Sequence, residues 1–540
     1  MADADTARLC VQIVHSHFGP ITAKVASTLL SRGRLSLPQL VRYCSLKSRT
    51  VRASILVLVQ HNILWHAPSE DDIDVFEVNI DECLSRLRFG RYVWQAEQLF
   101  GSAGADIVSL VLDHGKLRSC DIERLLRASG SKEATVYTQT IFKLVSASYL
   151  KPSTVLSHKS PRDRRIKYET EEKAKISGFP TAKELREARE VAEARLRREE
   201  EEAEKVGMKR KAKDTNGKSS KRSKTADEDV VDDEVYFRIN FDKFNVHIRN
   251  RLIVGAARER FNGGTALVMQ ATLKATEAKQ KTVANVRSDP TSLADVAMQI
   301  SDEDDLAAGL ILSSRKPKTM SLVKDYLGML AFADNPTPAG RSASFVSFIG
   351  SKVQVEFEII GTRLRQRVLE AVTKERHGDE GVRVLRLLLG TGKVDEKQIS
   401  KVAMMAPKDT RPLLSAMSAE SLISIQEVPR SADRNPTRTF YLWYVDLSKA
   451  YSVLLGNLYK TLYNINVRKL AEEEEPSVKA VLEKRQRTDV SMDEGLLTRN
   501  EREILKEWGD KREKLTVLEA RVEEAVFILR DLGSLGNGDD

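Results

Sequence analysis

The residues of this chain best suited to chemistry are basic, and they fall into two sets. Arg42, Lys47, Arg49 and Arg52 surround the start of an apolar-periodic helix. Cationic side chains at that place can neutralise phosphates, so the set points to a nucleic-acid backbone. A solvated basic face is the competing reading. Lys209–Arg210 and, ten residues on, Lys221, Arg222 and Lys224 form two clusters at the spacing of a bipartite nuclear-import signal. The surrounding composition is poor in apolar residues and predicts disordered chain, the form an import receptor reads.

Other constellations fail on their spacing. Gly390–Lys393 reads GTGK, but a phosphate-binding loop needs a glycine where Leu387 stands and Ser or Thr where Val394 stands. A helix stop followed by a turn fits better. His15 and His17 are two apart on a helix and face different sides. No HExxH, GxSxG or Asp-rich metal motif occurs. Cys10, Cys44, Cys83 and Cys120 form no CxxC pair and no Cys/His cluster, which speaks against a zinc site or a disulfide framework and for a reducing compartment. The expectation is a chain with no catalytic residue, no metal, no cofactor and no small-molecule substrate.

The elements that must position the basic sets follow from composition and period. The chain has 540 residues, too many for one core. Charged residues are 31% and aromatics 6%, which suits a helical protein with solvated segments. No apolar run reaches the length of a membrane span, and the opening MADADTARLC lacks the pattern of a signal peptide. A net charge of +9 permits nucleic-acid contact without demanding it.

One pattern recurs four times: helices, then two short strands around a polar tip. In the first copy the helices are Leu9–Phe18, Thr22–Ser31, Leu37–Cys44 and Lys47–His61, and Ile63–His66 and Val75–Ile80 are the strands. Three helices closed by a hairpin is the winged-helix arrangement. The segments LVQHNILWH, LVSASYLKP and MSAESLISI end the third helix in three copies, which marks an internal repeat. The fold class predicted is mainly α with small β wings: four tandem winged helices plus a C-terminal antiparallel coiled-coil hairpin. The boundaries are 1–82, 90–156, 235–359 and 360–446 for the winged helices. Residues 157–234 form a charged, largely disordered insertion, and 447–533 the hairpin. The hairpin rests on Leu447, Tyr451, Leu454, Leu458, Thr461 and Ile465, then on Leu515, Leu518, Val522, Ala525 and Leu529 at heptad steps.

A winged helix enters the major groove with its third helix. The first copy has the cations for this. The second has only Lys132 and Lys143, and the fourth only Lys408 and Arg411. Those copies are expected to bind protein.

The opening LCVQIVHSHFGPITAKVASTLLSRGRLSLPQLVRYCSLKSRTVRASILVLVQHNIL, together with YFRINFDKFNVHIRNRLIVGAARERFN from Tyr236, resembles the family of the third-largest subunit of eukaryotic RNA polymerase III. That family is similar to the large subunit of the polymerase II initiation factor E. The resemblance implies a non-catalytic polymerase subunit on the clamp. Its implied partners are a second winged-helix subunit, a small subunit with an acidic tail and the largest subunit. It implies action in promoter recruitment and DNA opening for small RNA genes, with upstream promoter DNA within reach, and it implies the nucleus. It carries no single functional residue over to this chain. Two other classes stay open: a winged-helix DNA-binding transcription factor, and a winged-helix scaffold of a cullin or proteasome-lid kind.

Overall fold

The computed structural model describes residues 3–68, 74–128, 134–176, 181–210, 229–301, 306, 319–332, 343–430, 439–492 and 496–532. The protein is mainly helical with small antiparallel sheets. By internal contacts it divides into two units, Met1–Asn245 and Val246–Asp540.

In the first unit, the helix Ala4–Arg32 is interrupted at Gly19 (φ 84°) before Pro20. Leu37–Cys44 follows, opened by Ser36, whose backbone N–H donates to the Gln39 side chain at 2.9 Å. Ser45 then takes a left-handed conformation (φ 52°), and Ser48–Gln60 is the third helix. Leu9, Ile13, Leu40, Val51, Leu58 and Ile63 are buried between these elements. The wing strands Leu64–Pro68 and Asp74–Val78 pair, and a short strand the sequence reading missed, Leu35–Ser36, pairs with the second of them.

The second module has helices Phe89–Phe100, Ser102–His114, Ser119–Ala128 and Ala134–Ser146. Its sheet corrects the expected boundary. Leu150–Pro152 pairs with Tyr236–Ile239, which also pairs with Leu117–Arg118. Phe237 and Ile239 are buried in this module. The strand assigned to the start of the third copy therefore closes the second wing, and the charged insertion lies between two strands of one wing.

Of the insertion 157–234, expected to be largely disordered, the described residues include two helices, and 177–180 and 211–228 lie outside the described residues. Helices Pro161–Lys173 and Ala182–Lys205 pack on each other. Tyr168, Ala188 and Ala192 are buried, and Arg195 lies 4.2 Å over the Tyr168 ring. Arg195 also pairs with Glu171 at 2.8 Å. A thin apolar stripe plus ion pairs replaces the wide apolar face a helix usually needs. Met208–Arg210 then pairs with Asp229–Val231.

In the second unit, the third module comprises Phe241–Arg260 from Val246 onward, Gly263–Thr276, Leu293–Met298 and Thr319–Leu330. Its strands Val346–Ile349 and Lys352–Val355 pair, with Thr291–Ser292 on the edge. The fourth has Phe357–Thr391, broken at Gly378, then Glu396–Ala403 and Pro407–Ala419, with a wing of Ser424–Pro429 and Thr439–Tyr444. Val394–Asp395 is its third strand.

The repeat seen in the sequence has a backbone cause. Asn62, Ser148, Phe332 and Ser421 each take a left-handed φ of 51–61° just after the third helix of their module. At three of them the following N–H reaches back five residues: Ile63 to Leu58, Tyr149 to Leu144 and Leu422 to Met417. This helix stop turns the chain sharply into the wing.

Helices Leu447–Glu473 and Arg499–Arg530 pair antiparallel, since Lys469 bonds Glu519 while Glu472 meets Lys511 at 3.2 Å. At one end Tyr451, Leu454 and Leu529 share a core with Leu369, Val384, Leu385 and Leu414 of the fourth module. At the other end Val481, Val490 and Leu497 form a small separate core with Ile504 and Leu505. The expected seam is not continuous: Thr461 and Leu518 are exposed, while Tyr459, Leu462, Val526 and Phe527 are buried.

Candidate nucleic-acid interface

The basic face is built by the turn between the second and third helices of the first module. The left-handed Ser45 lets Leu37–Cys44 end and Lys47 start the next helix within three residues. The Lys47 carbonyl accepts the Val51 N–H at 3.1 Å. Val51, Ser54, Ile55 and Leu58 turn inward. Arg49, Arg52 and Leu56 are then left at three- and four-residue steps on the outward face. Arg42 reaches the same end from the last turn of Leu37–Cys44.

The structure places Arg42 in the last turn of Leu37–Cys44, Lys47 at the cap of the next helix, and Arg49 and Arg52 in that helix's first turns. Arg42, Lys47, Arg49 and Arg52 are exposed, and none makes an ion pair or side-chain hydrogen bond among the described residues. Arg34, by contrast, is engaged by Glu77 and by Asp163 of the insertion, at 2.6 and 2.8 Å. The charge is segregated within the module: Asp3 to Pro68 carry eight Lys or Arg against two Asp, while Glu70 to Glu82 add seven Asp or Glu, so residues 1–82 sum to −1. Exposed, unpaired cations clustered at one helix end favour a polyanion there.

The other end of the same helix is locked. Gln60 Nε2 donates to the carbonyls of His114 (3.1 Å) and Lys116 (2.9 Å) in the second module. Lys116, buried, donates back to the Val59 carbonyl at 2.9 Å and lies 3.0 Å from His158 Nε2. Between them Gly115 has φ +79°, and a Cβ there would stand 2.5 Å from the Gln60 oxygen. Burial holds Lys116 down to about 8, with Arg238 contributing. Burial, then the Lys116 charge, holds His158 down to about 4. The third helix is thus fixed at its carboxyl end and open at its amino end.

Sequence reasoning missed part of this surface. Leu56 is 69% exposed and Val57 40% on the same helix. Tyr43 is exposed beside Arg42, with the Arg32 guanidinium 3.9 Å from its ring centroid. Leu56 was legible: it falls outside the inward period of Val51, Ile55 and Leu58. The Arg32–Tyr43 stack had no signal in the spacing.

The corresponding helices elsewhere carry fewer exposed cations. Ala134–Ser146 exposes Val136 and Phe142 beside Lys143, and Lys132 lies outside the described residues. In Pro407–Ala419, Lys408 is exposed and Arg411 is paired with Glu396 at 2.9 Å. In the import-type clusters Lys209 lies in a strand and is held by Asp232 at 2.8 Å, a bond that raises its pKa. Arg210 ends that strand, and Lys221, Arg222 and Lys224 lie outside the described residues.

GTGK is a helix end: Gly392 (φ 81°) donates its N–H to the Leu388 carbonyl at 2.9 Å. Among the described residues no His, Cys, Asp and Glu side chains group to hold a metal, and no helix is long and apolar enough to cross a membrane.

Three family models match. Residues 8–66 match the RNA polymerase III subunit RPC82 helix-turn-helix domain, and residues 139–335 match RNA polymerase III subunit RPC82. Residues 369–445 match the POLR3C C-terminal winged-helix domain. The chain is 26% identical to the DNA-directed RNA polymerase III subunit RPC3 of Homo sapiens, over 97% of each chain. It is 25% identical to the subunit of that name from Danio rerio, over 97% of this chain and 98% of the other. With subunit RPC-3 of Coccidioides immitis the identity is 26%, over 97% and 99%.

Proposed function

This chain belongs to the RNA polymerase III subunit RPC82 family, whose members include subunits named RPC3, and we propose that it serves that enzyme as an adaptor in initiation. It is a non-catalytic subunit with other polymerase III subunits as partners. We read it as part of a clamp-bound subcomplex with a second winged-helix subunit, a small acidic-tailed subunit and the largest subunit. In that reading the four modules and a C-terminal helical hairpin hold partners, and the chain works in the nucleus. The first module meets promoter DNA upstream of the opening strands.

One observation carries the DNA part of this reading: the four unpaired cations at the open end of Ser48–Gln60. Three or four phosphate contacts give weak binding alone, because tight sites use about six to ten. Weak contact suits a subunit placed by protein interfaces, since strong nonspecific binding would compete with placement. Lys47→Glu, Arg49→Glu and Arg52→Glu together should lower the yield of opened promoter roughly tenfold. Subunit assembly, read by gel filtration of the enzyme, should not change. Unchanged opening with that triple variant removes the DNA role from this helix.

A further inference from the structure

Among the four cations of the basic face stands an exposed hydroxyl group, that of Ser45. This residue makes the turn between Leu37–Cys44 and Ser48–Gln60 and is left-handed at φ 52°. Cys44 just before it is buried, and its Sγ donates to Thr28 Oγ1 at 3.3 Å, so the chain turns outward directly after an anchored residue. The Ser45 side chain makes no hydrogen bond among the described residues. The fourth module has the same turn at Met404 (φ 54°), which is 89% exposed. There the Met405 N–H closes the turn onto the Ser400 carbonyl at 3.0 Å, whereas the Leu46 N–H makes no such bond among the described residues. The turn at Ser45 is therefore the looser of the two, and a helix end held by few bonds opens at little cost.

The cations around Ser45 give it a chemical context. Arg42 stands three residues before it and Lys47 two after, both exposed and without a side-chain partner among the described residues. An arginine at that distance suits a kinase whose peptide groove is lined by carboxylates, because guanidinium and carboxylate pair strongly. The neighbouring hydroxyls fit less well. Ser48 is exposed but has Ser45 three residues before it, and Thr50, three residues after Lys47, is half-buried within the helix.

We propose that Ser45 is a phosphorylation site for an arginine-directed serine kinase, and that the phosphate turns the basic face off. The Ser45 Oγ attacks the γ-phosphorus of ATP and forms the new P–O bond. The bond to the β–γ bridging oxygen breaks, ADP leaves, and the hydroxyl proton passes to a carboxylate of the kinase. The product adds a charge of about −1.5 to −2 beside Arg42, Lys47, Arg49 and Arg52. Phosphoserine accepts charge-assisted hydrogen bonds from the same guanidiniums that a DNA phosphate would use, and it repels that phosphate.

The inference rests on the DNA reading above, and the test separates the two. Whole polymerase purified through this chain is incubated with ATP and a calmodulin-dependent protein kinase, a probe that takes arginine three residues before its serine. Phosphopeptides are mapped by mass spectrometry, and promoter opening is measured with and without the treatment. The expected product carries phosphate on Ser45, and Arg42→Ala should cut that incorporation roughly tenfold. Treated enzyme should open promoter about threefold less than untreated enzyme. Ser45→Gly, which suits the left-handed turn, should open promoter normally and should not respond to the kinase. No phosphate on Ser45 overturns the proposal. So does treated enzyme that opens as well as untreated, or an equal response from Ser45→Gly. If the Lys47, Arg49, Arg52 triple variant also opens normally, the DNA reading has failed and the switch falls with it. If the triple variant is impaired and the phosphorylated enzyme is not, the switch alone fails.

Discussion

At the scale of single residues, the contact between Lys116, Gln60 and His158 decides how firmly the third helix of the first module is held. His61 belongs to the same region, where burial and then the Arg86 charge hold it down to about 3. Both histidines are neutral in the folded chain well below the ordinary range of imidazole. The unfolded chain therefore binds more protons as pH falls through about 6.5, and stability is lost in that direction. Lys116 acts at the other end of the scale. Its folded pKa of about 8 lies below its ordinary value, so stability rises as pH climbs from about 8 towards that value. The thermal midpoint of the first unit is expected to fall between pH 7.5 and pH 5, and His61→Gln with His158→Gln should flatten that fall. An acid limb unchanged by the double substitution would assign the loss to other groups.

Arg49 and Arg52 were legible because their positions avoid the inward period of Val51, Ile55 and Leu58, so their exposure followed from helical geometry alone. The Lys116–His158 contact was not, because it joins residues 42 positions apart and neither residue type is apolar. Periodicity reports which face is buried, and it says nothing about which polar groups meet there.

At the scale of elements, the second wing teaches most. Leu150–Pro152 and Tyr236–Ile239 are adjacent in one sheet and separated in sequence by the whole insertion. Tyr236–Ile239 was read as the start of the next helix-forming copy because a helix follows it directly. The alternation that marks it as a strand covers four residues, too few to be separated from a helix start. The composition of Glu184–Lys205 is that of a solvated helix, and Tyr168 with Ala188 and Ala192 makes too thin a stripe for its packing to register. The C-terminal heptads suggested a longer seam than exists, since Leu518 keeps the spacing while standing 45% exposed. The changed boundary has a direct consequence. A fragment of residues 1–245 should unfold in one cooperative transition. A fragment of residues 1–156 lacks the buried Phe237 and Ile239 and should unfold at a clearly lower temperature. Equal midpoints for the two fragments would restore the original boundary at residue 156.

At the scale of the molecule, the charge is uneven. Asp3 to Pro68 hold an excess of six positive charges, but Glu70 to Glu82 add seven Asp or Glu, so the first module sums to −1 against +9 for the chain. One third helix with unpaired cations clustered at its amino end, beside third helices with one or two Lys or Arg each, suits the adaptor reading. A free transcription factor would need strong cationic faces in several copies, and those of Ala134–Ser146 and Pro407–Ala419 are absent or engaged. A cullin-type or proteasome-lid scaffold would place helical repeats ahead of one terminal winged helix, the reverse of this order.

The central claim is that the chain acts as a subunit of RNA polymerase III, and it is tested most directly by purifying the tagged protein from nuclear extract at moderate salt and measuring the amounts of what accompanies it. The account expects the other polymerase III subunits in near-equal amounts to the tagged chain, in wild type and in the Lys47, Arg49, Arg52 triple variant alike. Recovery of the chain with DNA alone, or with a ubiquitin-ligase or proteasome set in place of the polymerase, would contradict it.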